Sequence, residues 1–345
     1  MKKTTKLTAL LLALVLSLSL AACSGKPGAE SSAPAESKSG ESAQPSAAPA
    51  GDETYVVGIC QLLPHDALNA ATQGFKDALK EEFGDNVEIK EGNAGGEPTN
   101  CTTIIDGFIA EDVDLILANA TPALTAAASA TDTIPILGTS ITNYGIALDL
   151  DSTEDKVLGG NISGTSDLAP LDQQAAMVKE LFPDAKNVGL VYCSAEANSM
   201  YQVETIQGHL EGLGYTCTQY AFTDVNDLAS VVQTACDASD VLYIPTDNTA
   251  ADNKETIANV VVPAKVPVIC GEAGICSGCG VATLSISYYE IGWMAGEMAA
   301  QILKGEKSVS ELPIGFDTTL DKMYNPSICE QLGLTMPEGY APIGG

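Results

Sequence analysis

Short apolar runs alternate with longer stretches whose apolar residues recur at helical spacing, from Tyr55 to about residue 308. This alternation is typical of parallel βαβ units and of an α/β fold. The apolar runs predict strands at 55–61, 87–90, 113–118, 134–137, 188–193, 216–221, 241–244, 266–269 and 281–287. The helical spacing predicts helices at 67–83, 98–110, 122–130, 171–182, 198–213, 225–236, 249–262 and 288–304.

The second half of this pattern resembles the first. The rhythm loosens after Asn143 and restarts at Val188, where VGLVYC corresponds to VVGIC at 56–60. Asp114 opens LILANATP as Asp240 opens VLYIPTDNT, and the offsets are about 126 to 132 residues. We therefore predict two similar α/β lobes of about 110 residues, with Rossmann-like parallel sheets whose strand ends face one cleft.

The first 54 residues predict a secreted, lipid-anchored protein. Residues 1–22 combine a basic start, an apolar segment and small residues before Cys23, which is similar to a bacterial lipobox with an acylated cysteine. The alternative is an ordinary secretory peptide with a chance cysteine. Residues 23–54 are rich in Ser, Ala and Pro and predict a disordered tether.

Charge limits the choice of partners. The formal charge of −29 becomes about −32 without Lys2, Lys3 and Lys6, which argues against nucleic acid and wide contact with an anionic membrane. The chain has no arginine. A bound carboxylate must therefore be held by backbone N–H groups, hydroxyls or lysine.

Residues for catalysis or metal binding are not found at the required spacings. The chain has two histidines, and it has no Gly-x-Ser-x-Gly elbow, Walker A sequence or Gly-x-Gly-x-x-Gly. The pair Cys276 and Cys279 is either a disulfide or half of a metal site, with no second pair nearby. We expect a protein that is not an enzyme and has no cofactor or metal.

Polar turns at the predicted strand ends form the candidate ligand site. Thr121 is predicted to cap its helix with Pro122 at the first helical position, and backbone N–H groups there suit an anion. An ammonium group suits the four carboxylates of Asp167, Glu196, Asp247 and Glu272. For each turn, helix capping without ligand contact is the alternative. The candidates are Gln61, His65, Thr121, Pro122, Ser140, Thr165, Ser166, Asp167, Glu196, Asn198, Ser199, Thr246, Asp247, Asn248 and Glu272.

Six stretches follow a known pattern in order and at similar spacing: GICQLLPHDALNAATQGFKDAL (58–79), LILANATPALTAAASAT (115–131), ISGTSDLAP (162–170), YCSAEANS (192–199), YIPTDN (243–248) and SYYEIGWMAGEMAAQILKGEKS (287–308). With these stretches the chain resembles substrate-binding lipoproteins of ABC importers, the group that includes tryptophan- and tyrosine-binding proteins. Two turns depart from the family pattern. Asp66 stands where proline is usual, and Gly271 stands where aspartate is frequent.

This resemblance implies a periplasmic-binding-protein type I fold with two lobes joined by a hinge. The expected lobes are 55–164 plus about 283–307, and 165–282 plus about 308–345. The expected function is that of an extracytoplasmic, membrane-anchored receptor, a monomer that delivers an aromatic amino acid to an ABC permease and its ATPase. Candidate stacking rings are Tyr144, Tyr192, Tyr288 and Tyr289. A signalling receptor, or a nucleoside or sugar ligand, is the alternative.

Overall fold

The computed structural model describes residues 54–150 and 157–344. The predicted signal peptide, Cys23 and nearly all of the predicted tether lie outside these residues. Within them, every helix is too short or too polar to cross a bilayer.

The strands follow the predicted apolar runs closely, since β1 and β8 have the predicted bounds and most others differ by a few residues. In chain order they are β1 (Tyr55–Gln61), β2 (Val87–Asn93), β3 (Leu115–Asn119), β4 (Ile136–Ile141), β5 (Ile162–Ser166), β6 (Asn187–Cys193), β7 (Thr216–Phe222), β8 (Val241–Ile244), β9 (Val268–Cys270), β10 (Ala282–Ser285), β11 (Gly315–Phe316), β12 (Asp321–Tyr324) and β13 (Ala341–Pro342).

The helices occupy the stretches between these strands. They are α1 (Asp66–Phe83), α2 (Pro98–Ala110), α3 (Thr121–Ala130), α4 (Tyr144–Leu148), α5 (Leu171–Leu181), α6 (Ala197–Gly212), α7 (Val225–Ala238), α8 (Asn248–Asp252), α9 (Lys254–Ala264), α10 (Ala273–Cys279), α11 (Tyr288–Leu303) and α12 (Pro326–Leu332), with a short 3-10 helix at Val309–Glu311. The single helix predicted at 249–262 is two helices, because the chain leaves helical geometry at Asn253 (φ −120°, ψ 25°).

Two sheets confirm the predicted α/β class and the internal repeat. The first has the order β11-β5-β4-β3-β1-β2 and is parallel throughout. The second has the order β13-β12-β10-β9-β8-β6-β7, in which only the β10–β12 pairing is antiparallel. The order β5-β4-β3-β1-β2 thus recurs as β10-β9-β8-β6-β7. Equivalent aspartates, Asp114 and Asp240, accept from backbone N–H groups beside β1 and β6.

The lobe boundaries differ from the predicted ones in three places. Residues 165–166 pair with β11 in the first sheet, whereas the sequence assigned them to the second lobe. Residues 283–285 of β10 belong to the second sheet, and the segment 309–316 returns to the first lobe. The cause is edge pairing, since the short β11 adds to β5 and Val309 and Leu312 pack beneath that sheet. The chain therefore crosses between lobes near 167–170, 286–287 and 317–320.

Helices α1 and α11 pack unusually closely within the first lobe. A Cβ atom at Gly292 would collide with the carbonyl of Ala71, and one at Gly74 would collide with the carbonyl of Tyr289. Glycine at these positions lets the two backbones approach each other. Both helices begin at the cleft, so this contact fixes two of the walls described next.

Candidate ligand-binding site

A narrow cavity of about 10 Å³ lies between the two lobes, where the strands of both sheets end. In this arrangement of the lobes it has room for about one water molecule, so a larger ligand requires the lobes to separate. Eight of the fifteen predicted residues line it, together with four others. The full lining is His65, Leu68, Ser140, Thr142, Asp167, Asn198, Thr246, Asp247, Asn248, Ala251, Glu272 and Tyr288.

The predicted ammonium ligand Glu196 lies beside the cavity but holds a helix. One carboxylate oxygen accepts from the backbone and side-chain nitrogens of Asn248, at 3.0 and 2.7 Å. The other accepts from the N–H and hydroxyl of Thr249, both at 2.8 Å. These bonds satisfy the first turn of α8, where N–H groups have no intrahelical partner. Glu196 therefore positions Asn248.

Asp247 and Glu272 also cap helices from the cavity wall. Asp247 accepts from the N–H groups of Ala250 and Cys193, at 2.8 and 2.7 Å. Glu272 accepts from the N–H groups of Gly274 and Ile275 at the start of α10. Burial raises the pKa of each carboxyl to about 7, and for Asp247 the negative charge of Glu196 adds to the effect. Asp247 and Glu272 therefore both cap helices, which was the alternative to ligand contact.

Asp167 is the carboxylate of the four that caps no helix. Its two oxygens accept from hydroxyls, that of Thr142 at 3.0 Å and that of Tyr288 at 2.9 Å. It lies on the first crossover between the lobes, is 5% exposed, and burial raises its pKa. A carboxylate oxygen accepts more than one hydrogen bond, so Asp167 keeps acceptor capacity toward the cavity.

Two buried polar atoms of the cavity wall have no hydrogen-bond partner among the described residues. They are the hydroxyl oxygen of Ser140 in the first lobe and the amide oxygen of Asn198 in the second. The Asn198 amide nitrogen donates to Glu196, Ser199 and Thr246, so its oxygen is the free acceptor. Ser140 has a left-handed backbone (φ 56°), a strained conformation for serine. Unpaired buried groups and strain of this kind concentrate at ligand sites.

His65 reaches across the cleft from the first lobe to the second. Its Nε2 lies 3.2 Å from Oδ1 of Asn248. Because the Asn248 amide nitrogen donates to Glu196, Oδ1 is the acceptor and Nε2 of His65 carries the proton. Burial lowers the pKa of His65. The neutral ring therefore joins the start of α1 to the start of α8.

Thr121 and Pro122 line an outer groove instead of the cavity. This open groove, about 600 Å³, runs from α2 and α3 to the start of α6 and includes Glu196 and Asn198. The predicted cap at Thr121 is wrong, since Thr121 is the first helical residue and the cap position belongs to Ala120 (φ 92°), without a side-chain cap bond. The strand runs one residue further than predicted, because Asn119 is still within β3 and its amide donates to Leu68 and Thr72.

Four other predicted residues support the wall from behind. Gln61 bonds Leu63, Asn69 and Thr72, beside a pocket on the other side of α1. Thr165 donates to Thr139 and to the carbonyl of Ile291. Ser166 donates to the carbonyl of Thr142. Ser199 bonds the carboxylate of Asp247.

Four lining residues were absent from the candidate set. Thr142 and Tyr288 hold Asp167, and Leu68 and Ala251 give apolar walls from opposite lobes. Tyr288 was expected only as one of four possible stacking rings. Of the other three, Tyr144 bonds Gly138 and Thr165, Tyr192 bonds Gln219, and Tyr289 bonds Asp77. A sequence signal did exist for Leu68 and Ala251, since each lies a few residues into a helix that begins at the cleft.

Comparison with known proteins gives a consistent family. The family model for ABC transporter substrate binding protein matches residues 56–341. A tyrosine-binding protein of Clostridioides difficile (strain R20291) is 34% identical over 326 residues, 93% of this chain and 90% of its own length.

Solved structures agree with this match. The structure of an ABC domain in complex with L-Trp, from Streptococcus pneumonia, is 31% identical, with a TM-score of 0.79 over 84% of this chain and 100% of its own. A ligand-free, open substrate binding protein with adhesive properties, from Clostridium difficile, is 32% identical, with a TM-score of 0.66 over 84% of this chain and 99% of its own. At nearly equal identity, the present structure is nearer in shape to the complex with L-Trp than to the ligand-free, open protein. The chain belongs to the ABC transporter substrate-binding protein family and has the type I periplasmic-binding-protein fold.

Proposed function

We propose that this receptor binds an aromatic amino acid as a zwitterion in the cavity between the lobes. The observation that carries the proposal is Asp167, a buried carboxylate held by two hydroxyls and by no helix. An ammonium group would meet a charged acceptor there and the unpaired amide oxygen of Asn198 in the opposite lobe. Hydrogen bonds to charged groups are about twice as strong as neutral ones.

The other end of the ligand suits the hydroxyls of the wall. The Ser140 hydroxyl has no partner in the part of the chain that the structure describes. The Thr246 hydroxyl oxygen accepts from Gln202, which leaves the Thr246 proton to donate. No lysine lines this cavity among the described residues. We therefore assign a ligand carboxylate to hydroxyl and N–H donors, as expected for a chain without arginine.

An aromatic side chain suits the apolar residues that face each other across the cleft. Leu68 of the first lobe and Ala251 of the second lie on opposite sides, and Tyr288 adds a ring. The names of two relatives support this class of ligand, since one is called tyrosine-binding and one contains L-Trp. A ring between the lobes would add apolar burial that stabilises the closed form.

Titration calorimetry with L-tyrosine, L-tryptophan and L-phenylalanine tests the proposal. We expect at least one to bind the wild type, and Asp167→Asn to weaken its binding by about 1.5–3 kcal/mol, because a bond to a charged group is lost. Asp77→Asn is the matched control, since Asp77 also accepts from a tyrosine hydroxyl but lies outside the cleft. The proposal fails if no aromatic amino acid binds, or if both variants bind equally well.

We also propose that the receptor is a monomer without catalytic activity, held outside the cell membrane by a lipid on Cys23. Family members are extracytoplasmic and bind small molecules for ABC permeases. The lipobox-like sequence and the polar stretch after it support the anchor. A Cys23→Ala variant should lose incorporation of a labelled fatty acid, and labelling that persists in this variant would exclude Cys23 as the acylated residue.

A further inference from the structure

Closing this cleft brings negative charges together. The first lobe and its crossover contribute Asp66 and Asp167, and the second lobe contributes Glu196, Asp247 and Glu272. Carboxylates of like charge repel one another and so oppose the approach of the two lobes, and burial strengthens this repulsion. A cation at the contact between the lobes would offset this repulsion.

Lys254, the first residue of α9, lies at that contact. Its Nζ is 2.5 Å from Oδ2 of Asp66, which begins α1 in the other lobe. The same Nζ donates to the carbonyl of Gly274 at 3.2 Å and to the hydroxyl of Ser277 at 3.1 Å, both within its own lobe. Lys254 is largely shielded, with 16% of its side chain exposed, and it is not part of the cavity wall.

We propose that Lys254 is a positioning residue for lobe closure, a cation fixed to the second lobe that binds Asp66 of the first lobe as the cleft closes. This inference rests on the proposed function only in that closure accompanies ligand binding. Lys254 does not line the cavity, although its charge acts on Glu272, which does, so a measurement of closure must separate the two effects.

The second lobe prepares Lys254 for this contact before the lobes meet. The stem of Lys254 lies against Gly278, where a Cβ atom would collide with it. Gly278, Gly274 and Ser277 all belong to α10, so the ammonium is held in place by neighbours that do not move on closure. Such preorganisation lowers the entropy lost when a long side chain forms an ion pair.

The Lys254–Asp66 pair and the His65–Asn248 bond act on one turn of the chain. His65 and Asp66 are adjacent at the start of α1, and Asn248 and Lys254 begin α8 and α9. Two neighbouring bonds fix the orientation of α1 as well as its distance. Leu68 follows in the same turn, so the closure contacts also position an apolar wall of the cavity.

The test compares Lys254→Met with Lys76→Met. The Lys76–Glu91 pair has the same 2.5 Å separation but lies wholly within the first lobe. Because the side chain of Asp66 is 69% exposed, we expect Lys254→Met to weaken binding of the aromatic amino acid about threefold to fivefold, and Lys76→Met to leave it within about twofold. The charge exchange Asp66→Lys with Lys254→Asp should bind more tightly than either of its single variants. The Lys254 contribution should also shrink in 1 M salt.

Small-angle scattering separates closure from ligand contact. At saturating ligand, Lys254→Met should keep a larger radius of gyration than the wild type and Lys76→Met. Equal affinity and equal radius in the two methionine variants, or a charge exchange no better than its parents, would overturn the proposal. If no amino acid binds the wild type, the proposed function fails independently. Scattering of the ligand-free proteins at low salt then tests Lys254, and identical curves for wild type and Lys254→Met would refute it.

Discussion

The four carboxylates expected at the cleft differ in what they do, although the sequence presents them alike. Glu196, Asp247 and Glu272 accept from backbone N–H groups in the first turns of α8 and α10. Asp167 accepts from the hydroxyls of Thr142 and Tyr288 and caps no helix. A carboxylate that caps a helix is already compensated by N–H groups and the helix dipole. Asp167 lacks that compensation, which makes it the strongest acceptor available to a bound cation.

The free energy of unfolding of the ligand-free protein should depend on pH through Asp247. Burial raises its pKa to about 7 in the folded chain, well above its unfolded value. Stabilisation present below the unfolded pKa is then lost as the pH rises through about 7. From pH 5 to pH 8 we expect the wild type to lose about 1–2 kcal/mol more than Asp247→Asn, which cannot titrate.

Chemical denaturation at both pH values measures this difference. Asp240→Asn is the control, since backbone N–H groups lower the pKa of Asp240 and move its titration below this range. It should therefore change the free energy of unfolding equally at pH 5 and pH 8. A pH dependence in Asp247→Asn as steep as in the wild type would contradict the assignment.

At the level of elements, the sequence predicts the helices and strands that have a clear apolar periodicity, and it predicts few of the others. The helix at Pro98–Ala110 and the strands at Tyr55–Gln61 and Val241–Ile244 have the predicted bounds because their apolar patterns are unbroken. The short elements β5, β11 and α10 were missed, since each is stabilised by tertiary pairing or by a cap. Ala120 was missed for a local reason, as its positive φ has no signal in a residue without a polar side chain.

For the site, too, local sequence patterns identify some features, whereas features that depend on tertiary contacts are not predicted. Polar residues that end strands were found, because the carboxyl ends of parallel strands meet at one edge of a sheet. Which of them face the cavity depends on hydrogen bonds between distant segments, such as Tyr288 to Asp167 and Glu196 to Asn248. Those contacts join residues 121 and 52 positions apart in the chain, respectively. No local pattern encodes them.

Gly292 tests the contact between α1 and α11. An added Cβ meets the backbone of Ala71, which cannot move without shifting α1. We expect Gly292→Ala to lower the free energy of unfolding by about 1–3 kcal/mol through overpacking. Because His65 and Tyr288 lie at the starts of these two helices, ligand affinity should fall as well.

Gly208→Ala is the control, since Gly208 lies mid-helix in α6 with open space around it. There alanine should stabilise by about 0.5–1 kcal/mol. Equal melting temperatures for the two variants would show that the helices can separate freely.

On the scale of the whole molecule, the three crossovers let the lobes move without breaking either sheet. The cavity draws its wall from both lobes and from the crossovers themselves, where Asp167 and Tyr288 lie close to the bends. A ligand shifts the balance between open and closed forms only by the difference in its affinity for them. Contacts to one lobe alone are made equally well in the open form and contribute nothing to closure.

Closure should therefore require both ends of the amino acid. The wall groups assigned to the ligand belong to the first lobe (Ser140), the second lobe (Asn198, Thr246) and the first crossover (Asp167). We expect L-tyrosine to reduce the radius of gyration in small-angle scattering at saturation. Tyramine lacks the carboxylate, and 3-(4-hydroxyphenyl)propionate lacks the ammonium, so each should leave a larger mean radius even when fully bound. The propionate should close the lobes least, because without the ammonium it leaves Asp167 without a cation and the ligand with a net negative charge. If either fragment closes the lobes as fully as the amino acid, closure does not require both charged ends, and the assignment of these ends to the wall groups is wrong.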